Sequence, residues 1–236
     1  LRDYYRSARK TILAHQHSFG PALDKLETKI EAFAPKFTEF DQLTEEGNYL
    51  QAREIVLSLN NDAQEVFELL TDIPTLLAEV ETKIPGAIQD LRNGQREMEE
   101  SNYYLLHLEL TEYLDKIDEE LVGLKEEISN LSMEPVKQRI EQINGEIDQF
   151  YDLLEKEVTA RAFVEKQCQP LREKLNEVMY ITRELSNEAA YVQHSYRLPE
   201  EEAEMPRNSL KQLELIDRRY TLLAMRVEEQ KSAFSV

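Results

Sequence analysis

Apolar residues recur at alternating spacings of three and four along almost the whole chain, the pattern of helices that each turn one seam toward a neighbour. From Gly20-Pro21 the first seam runs through Leu23, Leu26, Ile30, Phe33, Phe37, Phe40 and Thr44 to Gly47. A glycine there suits the left-handed turn that ends a helix. A second seam follows at Ala52, Val56, Leu59, Ala63, Val66 and Leu70, and Ile73-Pro74 predicts a turn, because the residue before proline is disfavoured in helical geometry. His107, Leu110, Leu114, Ile117, Leu121, Leu124 and Ile128 form a third seam. A fourth, opened by Pro135 in a first helical turn, carries Val136, Ile140, Ile143, Ile147, Phe150 and Leu154. Pro35 lies inside the first seam, where it removes a helical hydrogen bond, so a kink is expected there.

The four seams are two copies of one pair. A shift of 84 positions carries every seam residue of the first helix onto the third and of the second onto the fourth, and aligns Val66-Phe67-Glu68-Leu69-Leu70 with Phe150-Tyr151-Asp152-Leu153-Leu154. The helix breaks at Gly47 and at 131–134 match as well, and His17-Ser18-Phe19, Ser101-Asn102-Tyr103 and His194-Ser195-Tyr196 each place an aromatic before a new helix. These features predict an internal repeat. A third helix per unit would cover the first two, beginning at Ile84-Pro85 in one unit and at Pro170 in the next, where Leu171, Leu175, Val178, Thr182, Leu185, Ala189, Val192 and Tyr196 make a seam. The expected fold is all-α, an elongated array of three-helix antiparallel coiled-coil repeats: 1–18 the end of one repeat, 19–102 and 103–195 two whole repeats, and 196–236 the first helix of another, its seam reaching Phe234.

Composition narrows the partners. The 236 residues carry 47 Asp+Glu against 28 Lys+Arg, a formal net charge of −19, which argues against nucleic acid as a partner because phosphate binding needs a basic footprint. No apolar run approaches the roughly 20 residues of a membrane span, and no secretory segment opens the chain. It starts at Leu1 and reads as a piece of something longer. The single cysteine, Cys168, forms no internal disulfide and points weakly to a reducing compartment.

Candidate chemistry is sparse. No phosphate loop, HExxH, paired CxxC or GxSxG occurs, so no catalytic, cofactor-binding or metal-ligating residue is assigned and an enzyme is not expected. His15 and His107 fall on apolar seams and read as core histidines, since no Cys or carboxylate shares their face at i+3 or i+4. His17 and His194 flank turns and are given to capping or solvent, and Cys168 to a small buried side chain. Glu200-Glu201-Glu202-Ala203-Glu204, after Leu198-Pro199, reads as the acidic start of a helix, where the macrodipole favours negative charge, or as a loop. Residues 1–19 are locally basic, with Arg2, Arg6 and Arg9 on one helix face; that face reads as solvated, with an acidic unit or anionic lipid as the alternative contact. Tyr103-Tyr104, Tyr191 and Tyr196 are expected to seal repeat boundaries.

Several strings, in this order along the chain, resemble the EzrA family of septation ring formation regulators from Gram-positive bacteria. They are Leu1-Arg2-Asp3-Tyr4-Tyr5-Arg6, His17-Ser18-Phe19-Gly20-Pro21, Glu46-Gly47-Asn48-Tyr49-Leu50-Gln51-Ala52-Arg53-Glu54, Tyr104-Leu105-Leu106-His107-Leu108 and Tyr151-Asp152-Leu153-Leu154-Glu155-Lys156-Glu157-Val158. The resemblance implies a longer, single-pass membrane protein with a cytoplasmic arch of spectrin-like repeats at the division septum. It implies no enzymatic activity but restraint of FtsZ ring assembly and linkage of that ring to the membrane and other division proteins, this segment serving as rigid spacer and partner platform. Self-association is compatible with it. No functional residue carries over; Asn93-Gly94-Gln95-Arg96 shares letters with the family's localisation patch but sits elsewhere in the chain.

On the residues alone, the alternative is a spectrin-like or coiled-coil cytoskeletal scaffold unrelated to FtsZ. A TPR solenoid, suggested by Gly47-Asn48-Tyr49-Leu50-Gln51-Ala52, would need a period of about 34. A helical-bundle metal protein would need Glu-x-x-His pairs. Residues 104–107 read Tyr-Leu-Leu-His instead.

Overall fold

A computed structural model describes residues 1–196, 199–229 and 233–235, and among them every regular element is helical. In chain order these are α1 (Arg2–Ala14), a short α2 (Gln16–Phe19) with a 3₁₀ turn (Gly20–Ala22), α3 (Leu23–Glu31), α4 (Phe33–Glu45), α5 (Tyr49–Ala78), a π-helical turn (Glu79–Lys83), α6 (Ile84–Glu100), a second 3₁₀ turn (Leu106–Leu108), α7 (Leu110–Ser129), α8 (Met133–Ser195) and α9 (Glu200–Glu228). Two compact units are present, one made of Leu1–Asn93 with Leu110–Phe150 and the other of Gly94–Glu109 with Tyr151–Val236.

The 84-residue shift holds in three dimensions. It carries the last residue of α4, Glu45, onto the last of α7, Ser129, and the first of α5, Tyr49, onto the first of α8, Met133. The turns correspond too: Gly47 at φ 76° and Leu131 at φ 63° hold the same left-handed position. Each is followed by a backbone bond reaching five residues back, Asn48 N–H to the Leu43 carbonyl (2.8 Å) and Ser132 N–H to that of Glu127 (3.1 Å), which satisfies a helix-end carbonyl.

Within the first unit, α1, α3–α4 and α5 pack as an antiparallel trio. Arg2 bonds Asp41 while Tyr5 meets Phe37 and Phe33 at ring distances of 5.8 and 6.1 Å, so α1 ascends as α4 descends. Lys36 reaches Ser58 and Asp62, and Lys29 reaches Glu65, which sets α5 antiparallel to α3–α4. A second trio repeats the arrangement: Arg92 on α6 bonds Asp115 and Asp118 on α7 (2.8 Å each), and α7 in turn pairs Glu120 with Arg139 on α8. Leu26, Ile30 and Phe33 in the first trio and Leu110, Leu114 and Ile117 in the second are buried at equivalent positions.

Three expectations change. Pro74 produces no turn: it lies inside α5 beside fully buried Ile73, and tertiary burial outweighs the local preference of the residue before proline. The chain instead adjusts at Glu79–Lys83, where the Ile84 N–H bonds the carbonyl of Glu79, five residues back. Pro85, next in line, has no N–H to donate, and the π turn absorbs the missing bond. Pro170 likewise sits within the single helix α8 and opens no new helix. The third helical segments therefore continue the second ones and do not fold back on them; α6 pairs with α7 through Arg92, as α1 pairs with α4 through Arg2. Near Pro35, where a kink is expected, the helix is interrupted at Ala32, close to the carbonyl four residues before the proline with which its ring clashes.

In the second unit α8 and α9 run antiparallel. The Tyr220 hydroxyl donates to the Cys168 carbonyl at 2.9 Å, and Arg172 pairs with Asp217 while its guanidinium lies 5.3 Å from the Tyr220 ring centre. The helix expected across 196–236 is α9, Glu200–Glu228, and the parts of that expectation on 197–198, 230–232 and 236 lie outside the described residues.

Candidate functional site

A buried carboxylate, Glu157, marks a polar cluster in the second unit. Glu157 on α8 is fully buried; its Oε2 accepts the Phe234 N–H at 2.9 Å, its Oε1 accepts the Ser235 hydroxyl, and His107 Nε2 lies 3.6 Å away. One helical turn on, Arg161 donates to the Ser101 carbonyl (2.6 Å), and its guanidinium lies 4.7 Å from the centre of the Tyr103 ring and 5.5 Å from that of Phe234. Tyr103 and Phe234 meet edge-on at 5.7 Å, and the Tyr104 ring stacks on His107. These partners of Glu157 and Arg161 lie outside the long helices, at Ser101, Tyr103 and His107 before α7 and at Phe234 and Ser235 after α9, so the cluster fastens these segments to α8. The repeat shift places Glu157 opposite Ile73, so an apolar core position of one repeat is a carboxylate in the next. Sequence reasoning missed Glu157 and Arg161, although that mismatch in the shift was the available signal.

The other candidates distribute as follows. His15 and His107 are exposed, so the core assignment of both is corrected: His15 caps the C-terminus of α1, and His107 sits in a 3₁₀ turn before α7 begins. His17 and His194 are exposed as expected. Cys168 is half-buried inside α8, neither at a helix junction nor fully covered. Glu200, Glu201 and Glu202 form the acidic first turn of α9, and Leu198 lies outside the described residues. Arg2 is not merely solvated; it bonds both carboxylate oxygens of Asp41 (2.6 Å), while Arg6 pairs with Asp3 on its own helix. Tyr103 and Tyr104 are half-buried in contacts, whereas Tyr191 and Tyr196 are 76% and 74% exposed and seal nothing among the described residues.

Electrostatics are strongest between α7 and α8 of the first unit. Arg139 clamps Glu120 through Nε (2.5 Å) and Nη2 (2.8 Å) and reaches Glu146 at 3.3 Å, while the Tyr113 hydroxyl donates to Glu146 at 2.5 Å. Hydrogen bonding from Arg139 holds the Glu120 carboxyl below the usual carboxylate range. Burial, then the bond to Glu146, pushes the Tyr113 phenol up. Among the described residues no group of three or more His, Cys, Asp or Glu is arranged to hold a metal ion, and no helix is long and apolar enough to cross a membrane.

The fold and its surfaces define a protein of helical coiled-coil repeats whose polar chemistry lies in contacts between helices and on exposed helix faces. The chain belongs to the EzrA family: the family described as septation ring formation regulator, EzrA, matches residues 1–236. It is 39% identical over 236 residues to the septation ring formation regulator EzrA of Geobacillus sp. (strain WCH70), covering 100% of this chain and 42% of that protein. Identity to the protein of the same description from Geobacillus kaustophilus is 37% over 234 residues, 99% of this chain and 41% of that protein. The Staphylococcus epidermidis protein is 32% identical over 203 residues, 86% of this chain and 36% of its own length. The chain thus spans about two fifths of the length of these curated relatives. No solved structure matches it.

Proposed function

We propose that the chain is part of a non-enzymatic regulator of bacterial cell division that restrains assembly of the FtsZ ring and links it to the membrane and the division machinery. The observation that carries this reading is the family match over all of residues 1–236. In it the protein works on the cytoplasmic side of the cell membrane at the septum, anchored by a membrane helix of the longer protein. Residues 1–236 serve as a rigid spacer and partner platform, with 19–102 and 103–195 as successive repeats. Two features support the spacer role: repeated helix ends in constant phase, and the 63-residue helix α8. Weak contacts along a polymer add by effective concentration, so such a protein can restrain a filament without performing a reaction.

Co-sedimentation of the longer protein with FtsZ polymers tests the regulatory role. The expected result is a change in the amount of polymer pelleted, and an unchanged amount would favour a scaffold unrelated to FtsZ. Small-angle scattering of residues 1–236 tests the spacer role, which expects a radius of gyration well above the roughly 18 Å of a compact chain this long.

A further inference from the structure

Helix α5 carries a second seam, on the side away from its core. Leu57, Asn60, Gln64, Phe67 and Thr71 recur at spacings of three and four, and Thr75 and Ala78 continue the series. At 3.6 residues per turn these positions fall within an arc of about 80°. Every one of them is exposed, Leu57 and Phe67 by 55% and 57%, and none is charged in a chain of net charge −19. The carboxylates of 57–78 lie outside the arc: Asp62, Glu65 and Asp72 pair with Lys36, Lys29 and Lys137, and Glu68 accepts a bond from Gln64 at 2.9 Å along the same helix. The Thr71 and Thr75 hydroxyls donate to the carbonyls of Phe67 and Thr71, which leaves their methyl groups as the free surface.

The fold does not require this seam. The 84-residue shift carries it onto α8, where Glu141, Asp148 and Glu155 stand in place of Leu57, Gln64 and Thr71, and all the equivalent positions are exposed there too. The later repeat packs beside α5 and the earlier one beside α8, joined by the pair of Asp72 and Lys137, so a neighbouring repeat on either side leaves this face open. We infer that the outer face of α5 docks against the same face of a second copy of the chain, the two helices antiparallel. Reversal about the midpoint of 57–78 sets Leu57 opposite Ala78, Asn60 opposite Thr75 and Gln64 opposite Thr71, with Phe67 beside its own copy at the axis. Each longer side chain then meets a shorter one, and the two rings form an aromatic pair. A parallel pair would set like against like, Leu57 on Leu57 and Ala78 on Ala78. Two molecules of net charge −19 repel each other, and an uncharged contact about 32 Å long is where they approach with least penalty. The inference is independent of the role in division proposed above.

The test is sedimentation equilibrium of the whole 236-residue chain over a dilution series. A monomer–dimer equilibrium is expected, tighter as salt rises, because screening weakens the repulsion between two acidic molecules. Gln64→Asp with Thr71→Glu sets carboxylates opposite one another twice in the dimer and should weaken it at least about tenfold, since facing like charges across an interface are costly. A control pair with the same change in net charge, Gln149→Asp with Gln167→Glu, lies outside the seam and should leave the equilibrium within about twofold. All four positions are exposed, so both variants should keep the helical circular dichroism of the parent. Register is read by cysteine cross-linking in a Cys168→Ser background, which removes the native thiol. Asn60→Cys mixed with Thr75→Cys should give a disulfide-linked dimer, and Asn60→Cys alone should not. A monomer at every concentration would overturn the proposal, whether or not a helix of another protein binds the face. So would a dimer that the seam pair leaves intact, or one in which Asn60→Cys alone cross-links as well as the mixture.

Discussion

Gly47 and Leu131 occupy the same left-handed position 84 residues apart, yet only one of them is glycine. A Cβ on Gly47 would meet nothing within 4 Å, so the cost of adding one is purely conformational. Gly47→Ala is expected to lower stability by about 1 kcal/mol in urea denaturation. The cluster of Arg139, Glu120, Glu146 and Tyr113 adds a pH signature. Because the folded state holds the Glu120 carboxyl below its ordinary value, the stability it contributes is present above the usual carboxylate range and is lost as pH falls through the lowered value. Glu120→Gln should therefore cost about 1 kcal/mol at pH 6 and flatten the fall in stability below about pH 4, read as urea midpoints across that range. Residue-level chemistry was only partly legible. His15 and His107 kept the seam phase but sit outside the helices, His15 just after α1 and His107 before α7, and phase alone does not show where a helix starts or stops.

The seams themselves were legible element by element, because burial in a bundle demands apolar residues at every three or four positions and almost nothing else. On α7 all six buried residues are members of the third seam, whereas Val122 is 72% exposed. Leu114→Ala should accordingly cost roughly 2–5 kcal/mol, and Val122→Ala less than about 0.5 kcal/mol, by equilibrium denaturation. Helix ends were legible where a left-handed turn was needed, at Gly47 and near 131. They were not legible at Pro74, Pro85 and Pro170. Proline signals a break through local sterics, but buried Leu69, Ile73, Leu76 and Leu77 hold α5 in register across Pro74, at Pro85 a π turn removes the conflict, and α8 runs on through Pro170.

Core density differs between the two units. Over 165–195 of α8 only Leu175 and Thr182 are buried, against six buried residues in the 20 of α7. Hydrogen exchange read by mass spectrometry should show amides of 165–195 exchanging well before those of 110–128, and denaturant unfolding should take more than one step. By itself the sequence determined the helical class, the 84-residue repeat and most core positions, since each follows from periodicity, which a chain displays whether or not it is folded. Tertiary structure decided which helices share a bundle, whether prolines interrupt them, that Glu157 is buried with partners drawn from distant loops, and which side of α5 stays exposed. Those outcomes depend on contacts between residues remote in sequence, whose burial energy overrides local preference and leaves no periodic trace along the chain.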